Sequence, residues 1–199
     1  MAELAAEVAA RLDRCLQPGA AITAALSGGL DSVVLLDCLT RLRTARPFTL
    51  AALHVNHGLS PNAHSWAAFC RDLCCSRDVP LRIVEVCVER ARGESLEAAA
   101  RRVRYAVFRQ HVSGILALAH HLDDQVETLM LQLLRGAGPR GAGAMPVTRV
   151  EVAGHDRDEP FTILRPLLQV PRSRLDAYAR EAKLSWVEDE SNADTELDR

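Results

Sequence analysis

The chain has 199 residues, is 48% hydrophobic and carries a formal net charge of −2 at pH 7. That length makes one large domain or two small ones, and the apolar content suffices for a buried core. The near-neutral balance excludes a global positive field for nucleic acid, and no apolar run is long enough to span a bilayer.

Residues 1–16 mix charge signs and place Leu4, Val8, Leu12 and Leu16 on one stripe, which predicts an amphipathic helix rather than a signal peptide. Apolar runs at residues 20–26, 49–55, 81–86 and 115–119 read as strands. Helical spacing marks residues 30–43, 63–77, 95–111 and 123–134. The alternation predicts an α/β fold, a parallel sheet with helices on both faces. Ser95 is the expected N-cap of its helix, with Glu97 in the first turn; Ala98 stands where a capping box needs Glu or Gln. Residues 136–146 are glycine-rich and are expected to form a mobile loop. Residues 147–152 and 161–164 are expected to pair as strands around a polar turn at 154–160. Pro171 is expected to open a helix over 172–182, and residues 186–199 are acidic and poorly periodic.

Residues 27–32, Ser-Gly-Gly-Leu-Asp-Ser, lie between the first strand and the helix that follows it. Two adjacent glycines let the backbone turn sharply and present successive N–H groups to an anion. The hydroxyls of Ser27 and Ser32 add donors, and the helix N-terminus adds its dipole. Together they make a phosphate cradle. A Walker loop needs a lysine beside its last Ser or Thr, but Lys183 is the single lysine. The G-x-G-x-x-G spacing of a dinucleotide site is absent as well. A lysine-free loop suits holding the pyrophosphate end of ATP while the α-phosphate is attacked.

The second strand runs into His54-Val55-Asn56-His57-Gly58-Leu59. Alternation sends His54 and Asn56 to one side and His57 to the other. They either line a nucleotide pocket beyond the strand ends or form a polar strand terminus. Arg101 and Arg104 share a helix face and Arg102 is turned away. That face either reaches a phosphate or is a solvated basic surface. The fourth strand leads into residues 120–128, His-His-Leu-Asp-Asp-Gln-Val-Glu-Thr. Asp123, Asp124 and Glu127 fall within about one turn. Such carboxylates can cap the helix, hold Mg²⁺ against phosphates, or bind an ammonium group and later take its proton. Cys15, Cys38, Cys70, Cys74, Cys75 and Cys87 contain no C-x-x-C pair and read as reduced, mostly buried thiols of a cytosolic protein.

The hexapeptide at 27–32 resembles the PP-loop of the ATP-pyrophosphatase superfamily, which implies cleavage of ATP to AMP and pyrophosphate. Further signatures follow in order: 54–59, 100–105, 120–128, 134–138, 141–145, 165–168 and 186–194. With them the chain resembles the catalytic domain of the tRNA(Ile)-lysidine synthetase family over nearly all of its length. The resemblance implies the PP-loop fold, ATP and Mg²⁺ as cofactors, a tRNA(Ile) with CAU anticodon and free L-lysine as partners, no membrane, and a cytoplasmic location. It implies adenylation of C2 of the wobble cytidine, then displacement of AMP by the ε-amine of lysine. By position, Ser27, Gly28, Gly29, Leu30, Asp31 and Ser32 match the ATP-holding loop, with Asp31 a candidate Mg²⁺ contact and His54 beside it. Arg101 matches an arginine near the α-phosphate, His120 a histidine at the active centre, and Asp124 and Glu127 acids that recognise lysine. The family usually continues into a basic stretch beyond residue 194. Residues 1–199 are therefore expected to be the catalytic domain without its linker and tRNA-binding region. The alternatives are another PP-loop tRNA modifier, such as a 2-thiolase, and a non-catalytic nucleotide-binding module.

Overall fold

The computed structural model describes residues 1–17, 19–136, 143–152 and 160–188. In chain order the elements are α1 (Ala2–Leu12), β1 (Ala20–Ala25), α2 (Leu30–Leu42), β2 (Phe48–Asn56), α3 (Ala63–Cys75), β3 (Leu81–Glu85), α4 (Leu96–His111), β4 (Ile115–Ala117), α5 (Leu122–Leu134), β5 (Thr148–Glu151), β6 (Phe161–Leu164) and α6 (Arg172–Glu181). The strands form one sheet in the order β3-β2-β1-β4-β6-β5. β1 pairs in parallel with β2 and β4, β2 with β3, and β4 with β6. β5 alone runs antiparallel, with Thr148 opposite Leu164 and Glu151 opposite Phe161. The strand pair expected after residue 146 therefore forms. Its turn at 154–160 falls almost wholly outside the described residues, as do 137–142 of the expected glycine-rich loop and 189–199 of the acidic end.

Both faces of the sheet are covered, as the near-continuous apolar strands require. On one side Leu4, Val8 and Leu12 of α1, Val33, Leu36 and Leu39 of α2, Cys70 and Cys74 of α3, and Leu175 and Tyr178 of α6 pack over Ile22, Ala24, Leu50 and Ala52. On the other, Tyr105, Val107 and Phe108 of α4 pack over Leu53, Leu116, Leu118, Phe161 and Ile163. A buried polar knot ties the first side together. Asp37 accepts hydrogen bonds from the Tyr178 hydroxyl and from Arg41 Nε, each at 2.7 Å.

β4 is shorter than its apolar run suggests. Leu118 still donates its N–H to Leu164 O at 2.9 Å, but Leu122 N–H goes to Val170 O. The chain thus leaves the ladder between them and turns His120 and His121 out of the strand. Ser95 caps α4 as expected, accepting from the Ala98 amide at 3.1 Å. Of the cysteines, Cys38, Cys70 and Cys74 are buried, while Cys75 and Cys87 are exposed. Among the described residues no helix is long and apolar enough to cross a membrane.

Candidate active site

The carboxyl ends of β1, β2, β4 and β6 converge on one edge of the sheet. At the end of β1, Gly28 takes φ +95°, a left-handed conformation that a side chain would strain. A Cβ there would also stand 3.0 Å from Val187 Cγ2 and 3.2 Å from Cys70 Sγ. Gly29 follows in extended conformation as the N-cap of α2. Ser32 Oγ accepts from the Gly28 amide at 3.1 Å and donates to Gly29 O at 2.9 Å. Ser27 Oγ accepts from the Gly29 amide at 3.2 Å. The loop is thus held open by its own hydroxyls. The amides of Leu30, Asp31 and Ser32 open α2, where helix geometry leaves N–H groups without intrahelical partners.

Asp31 connects this loop to the fourth strand end. Its Oδ2 lies 3.6 Å from Nε2 of buried His121, whose Nδ1 lies 3.7 Å from Asp124 Oδ2. Burial opposes charge on His121, but Asp31, Asp124 and Asp123 outweigh it and raise its pKa. The other Asp31 oxygen, Oδ1, is buried without a hydrogen-bond partner among the described residues. An orphaned carboxylate oxygen beside a phosphate cradle fits a hard cation. No group of three or more His, Cys, Asp or Glu poised to hold a metal occurs among the described residues. A cation there would complete its shell with phosphate oxygens and water.

On α5, Asp124 Oδ2 accepts from the His121 backbone N–H at 2.8 Å and so caps the helix. Asp123 Oδ1 accepts from the Arg172 amide at 3.3 Å, at the start of α6. Glu127 is exposed and makes no ion pair or hydrogen bond among the described residues. Gln125 pairs twice with the backbone of Met145, donating Nε2 to its carbonyl at 2.9 Å and accepting its amide at 2.7 Å. Arg165 Nη1 donates to the next carbonyl, Pro146 O, at 2.9 Å. The described end of the glycine-rich loop is therefore pinned.

His54 is buried beneath the 27–32 loop, its Nδ1 at 2.8 Å from Leu26 O and 3.6 Å from Cys70 Sγ. Desolvation depresses its pKa. It supports the loop from below. Asn56 Oδ1 accepts from the Gly58 amide at 3.0 Å and shapes the turn. His57 lies on the other side of the strand, as expected. Burial and the neighbouring charges of Arg104 and His54 push its pKa down to about 4.

α4 faces that side. Arg102 is turned to Glu94, at 3.0 Å, and is excluded from the site. Arg101 spreads over the Tyr105 ring, 5.0 Å from its centroid, and donates to the Tyr105 hydroxyl at 3.3 Å. His120 sits among Arg165, Arg101 and Arg104; burial and these cations push its pKa down to about 4.

The structure thus gathers Ser27, Gly28, Gly29, Leu30, Asp31, Ser32, His54 and Asp124 on the α2 side of the strand ends. Arg101 and His120 lie on the α4 side, and Glu127 stands on the exposed surface of α5. The signatures at 120–128, 165–168 and 186–194 contain His121, Arg165 and Val187, but sequence reasoning assigned none of the three a role in the site. The paired histidines were the only signal for the first, because choosing between them needs the exact point where the chain leaves β4.

A parallel sheet with a glycine turn at the carboxyl end of its first strand and amides opening the next helix defines an α/β nucleotide-binding protein. Residues 3–199 match the PP-loop domain family, and the chain belongs to it. It is 53% identical over 174 residues to the tRNA(Ile)-lysidine synthase of Chromobacterium violaceum, covering 87% of this chain and 39% of that protein. With the tRNA(Ile)-lysidine synthase of Alkalilimnicola ehrlichii it shares 46% identity over 199 residues, 99% of this chain and 43% of the relative. The chain spans about two fifths of the length of these curated relatives. The fold is also that of the U34-tRNA thiolase NcsA from Methanococcus maripaludis, at TM-score 0.72 and 18% identity, covering 94% of this chain and 65% of that one. An NH3-dependent NAD synthetase from Campylobacter jejuni is similar at TM-score 0.53 and 16% identity, with 92% and 72% covered.

Proposed function

We propose that this chain carries the ligase chemistry of a tRNA(Ile)-lysidine synthase: ATP-dependent attachment of free L-lysine to C2 of the wobble cytidine in a CAU-anticodon tRNA(Ile). The observation that carries the reading is the link Asp31–His121–Asp124, with 3.6 Å and 3.7 Å contacts, which couples the PP-loop to the acid-bearing helix. A triphosphate in the cradle meets the amides opening α2 and the hydroxyls of Ser27 and Ser32. Asp31 Oδ1 is the protein oxygen that would hold Mg²⁺, which supplies charge neutralisation on the phosphates when bound. Arg101 serves the charge that grows at the α-phosphate.

The second half-reaction needs a neutral amine, because an ammonium has no lone pair to attack with. Glu127 is exposed and unpaired among the described residues, so it would hold the lysine ammonium, and Asp124 stands one turn before it. A carboxylate that holds the ammonium also accepts the proton as the amine attacks. The decisive experiment incubates the protein with labelled lysine, Mg·ATP and CAU-anticodon tRNA(Ile). Label should enter the tRNA, with release of one AMP and one pyrophosphate per lysine. Absence of pyrophosphate exchange into ATP with that tRNA present would refute the reading. Retention of activity when Cys74 and Cys75 are replaced by serine would separate it from a thiolase.

A further inference from the structure

Three strand ends send side chains to the α4 side of the sheet. Leu53 and Val55 of β2 pack into the α4-side core, and alternation carries His57 to that side. Phe161 and Ile163 of β6 belong to the same core, and Arg165 is next in that alternation. His120, beyond Leu116 and Leu118 of β4, joins them, because its charged neighbours are Arg165, Arg101 and Arg104. Ser27, Asp31 and His121 belong to the opposite, α2 side. The sheet edge therefore separates two clusters of unlike chemistry.

The α4-side cluster is cationic, and its arginines have no ion-paired acid among the described residues. Arg109 and Arg149 nearby are both paired to Glu151. Arg101, Arg104 and Arg165 make no ion pair among the described residues; Glu97 offsets the Arg104 charge in part, but Arg101 works against it. Arg165 is 2% exposed. Its Nε, together with His57 Nδ1 and His120 Nδ1, is buried without a hydrogen-bond partner among the described residues. Arg104 is the solvent-exposed member of the cluster, and the protein packed around it lowers its pKa by desolvation. Converging positive charges and orphaned nitrogens, with no ion-paired carboxylate among the described residues, form an arrangement that an anion relieves.

We infer that His57, Arg104, His120 and Arg165 form a second phosphate site, on the opposite side of the strand ends from the PP-loop, which takes a phosphodiester of the RNA beside the target cytidine. The inference rests on the tRNA reading above. It separates the charges of the reaction: the β- and γ-phosphates sit on the α2 side, the RNA backbone on the α4 side, and the base meets the α-phosphate between them, where Arg101 reaches it. The cluster repels an ammonium, so the lysine must approach by way of the α5 acids.

The test uses imidazole proton resonances of the protein saturated with Mg²⁺ and α,β-methylene-ATP. A trinucleotide with cytidine at its centre is added. His57 and His120 should shift, and His54, buried under the PP-loop, should not. Arg104→Gln should weaken trinucleotide binding about tenfold and lower the slope of affinity against salt by about 1. His57→Gln, checked for folding by its urea midpoint, provides the same comparison if Arg104→Gln misfolds. If α,β-methylene-ATP alone shifts His57 and His120 and then blocks the trinucleotide, the site belongs to the triphosphate and the inference is overturned. No shift with either probe overturns it too. Shifts that persist in a protein unable to transfer lysine would support the phosphate site while refuting the proposed reaction.

Discussion

Val187 donates its backbone N–H to Gly28 O at 3.0 Å, and its Cγ2 lies 3.0 Å from the point where a Cβ on Gly28 would stand. A segment from the far end of the chain thus forms one wall of the PP-loop. Two independent penalties follow for Gly28→Ala: the left-handed φ of +95° and the collision with Val187. Strain of this kind costs about 1–3 kcal/mol. The urea midpoint should fall and Mg·ATP affinity should drop at least tenfold. Adding Val187→Ala removes the collision but not the backbone strain, so it should restore only part of the loss. Full recovery in the double variant would mean that φ at this position carries no cost.

That contact also shows where sequence reading stops. The hexapeptide at 27–32 is legible because its glycines, hydroxyls and following helix are neighbours in the chain. The helices and strands are legible for the same reason, since periods of 3.6 and 2 are local properties. The partner of Gly28 is not, because nothing local in Trp186 or Val187 marks it. Asp124 presents a different difficulty. Its spacing to Glu127 suits amine recognition, yet its geometry is that of a cap on His121. Sequence pattern supports both roles, and only the hydrogen bond shows that the capping one is occupied.

The two acids of α5 should therefore part company under mutation. Asp124→Ala leaves the His121 amide uncapped and should cost about 1 kcal/mol of stability, as lost helix caps do. It should impair both half-reactions, because His121 also touches Asp31. Glu127 is exposed and unpaired among the described residues, so Glu127→Ala should leave the melting temperature unchanged. The lysine concentration for half-maximal rate should rise at least tenfold, with pyrophosphate exchange largely retained. Equal loss of both half-reactions in Glu127→Ala would remove it from lysine binding.

His57 and His120 predict an acid-side loss of stability. Both are pushed from 6.5 down to about 4, so both stay neutral in the folded protein at pH 7. A depressed folded-state pKa means that the unfolded chain binds the proton first. Their contribution is fully present above about pH 6.5 and is lost as pH falls towards about 4. Urea midpoints of the native protein should decline through that window. His57→Gln with His120→Gln should flatten the decline there while leaving the carboxylate-driven loss at lower pH. An anion that pairs with the imidazolium forms should restore stability in the same window. Sulfate should therefore raise the midpoint more at pH 5 than at pH 8 in the native protein, and equally little at both in the double variant.

Gln125 offers the last test. Its amide reads the Met145 backbone as a neighbouring strand would, giving one bond and taking another. A glutamate has the same shape but cannot donate, and it would set a carboxylate oxygen against the Met145 carbonyl. Leucine fills similar space and removes both bonds. Each lost hydrogen bond is worth about 1 kcal/mol. Gln125→Glu and Gln125→Leu should therefore both speed hydrogen exchange at the Met145 amide, by about tenfold or more in the leucine variant. Exchange at amides inside β1 and β2 should remain as slow as before, because Gln125 touches neither strand. Arg165 holds the adjoining carbonyl of Pro146, so Val147, whose carbonyl accepts the Arg165 amide, should keep its place in both variants. Unchanged Met145 exchange in Gln125→Leu would show that this residue does not set the position of the segment.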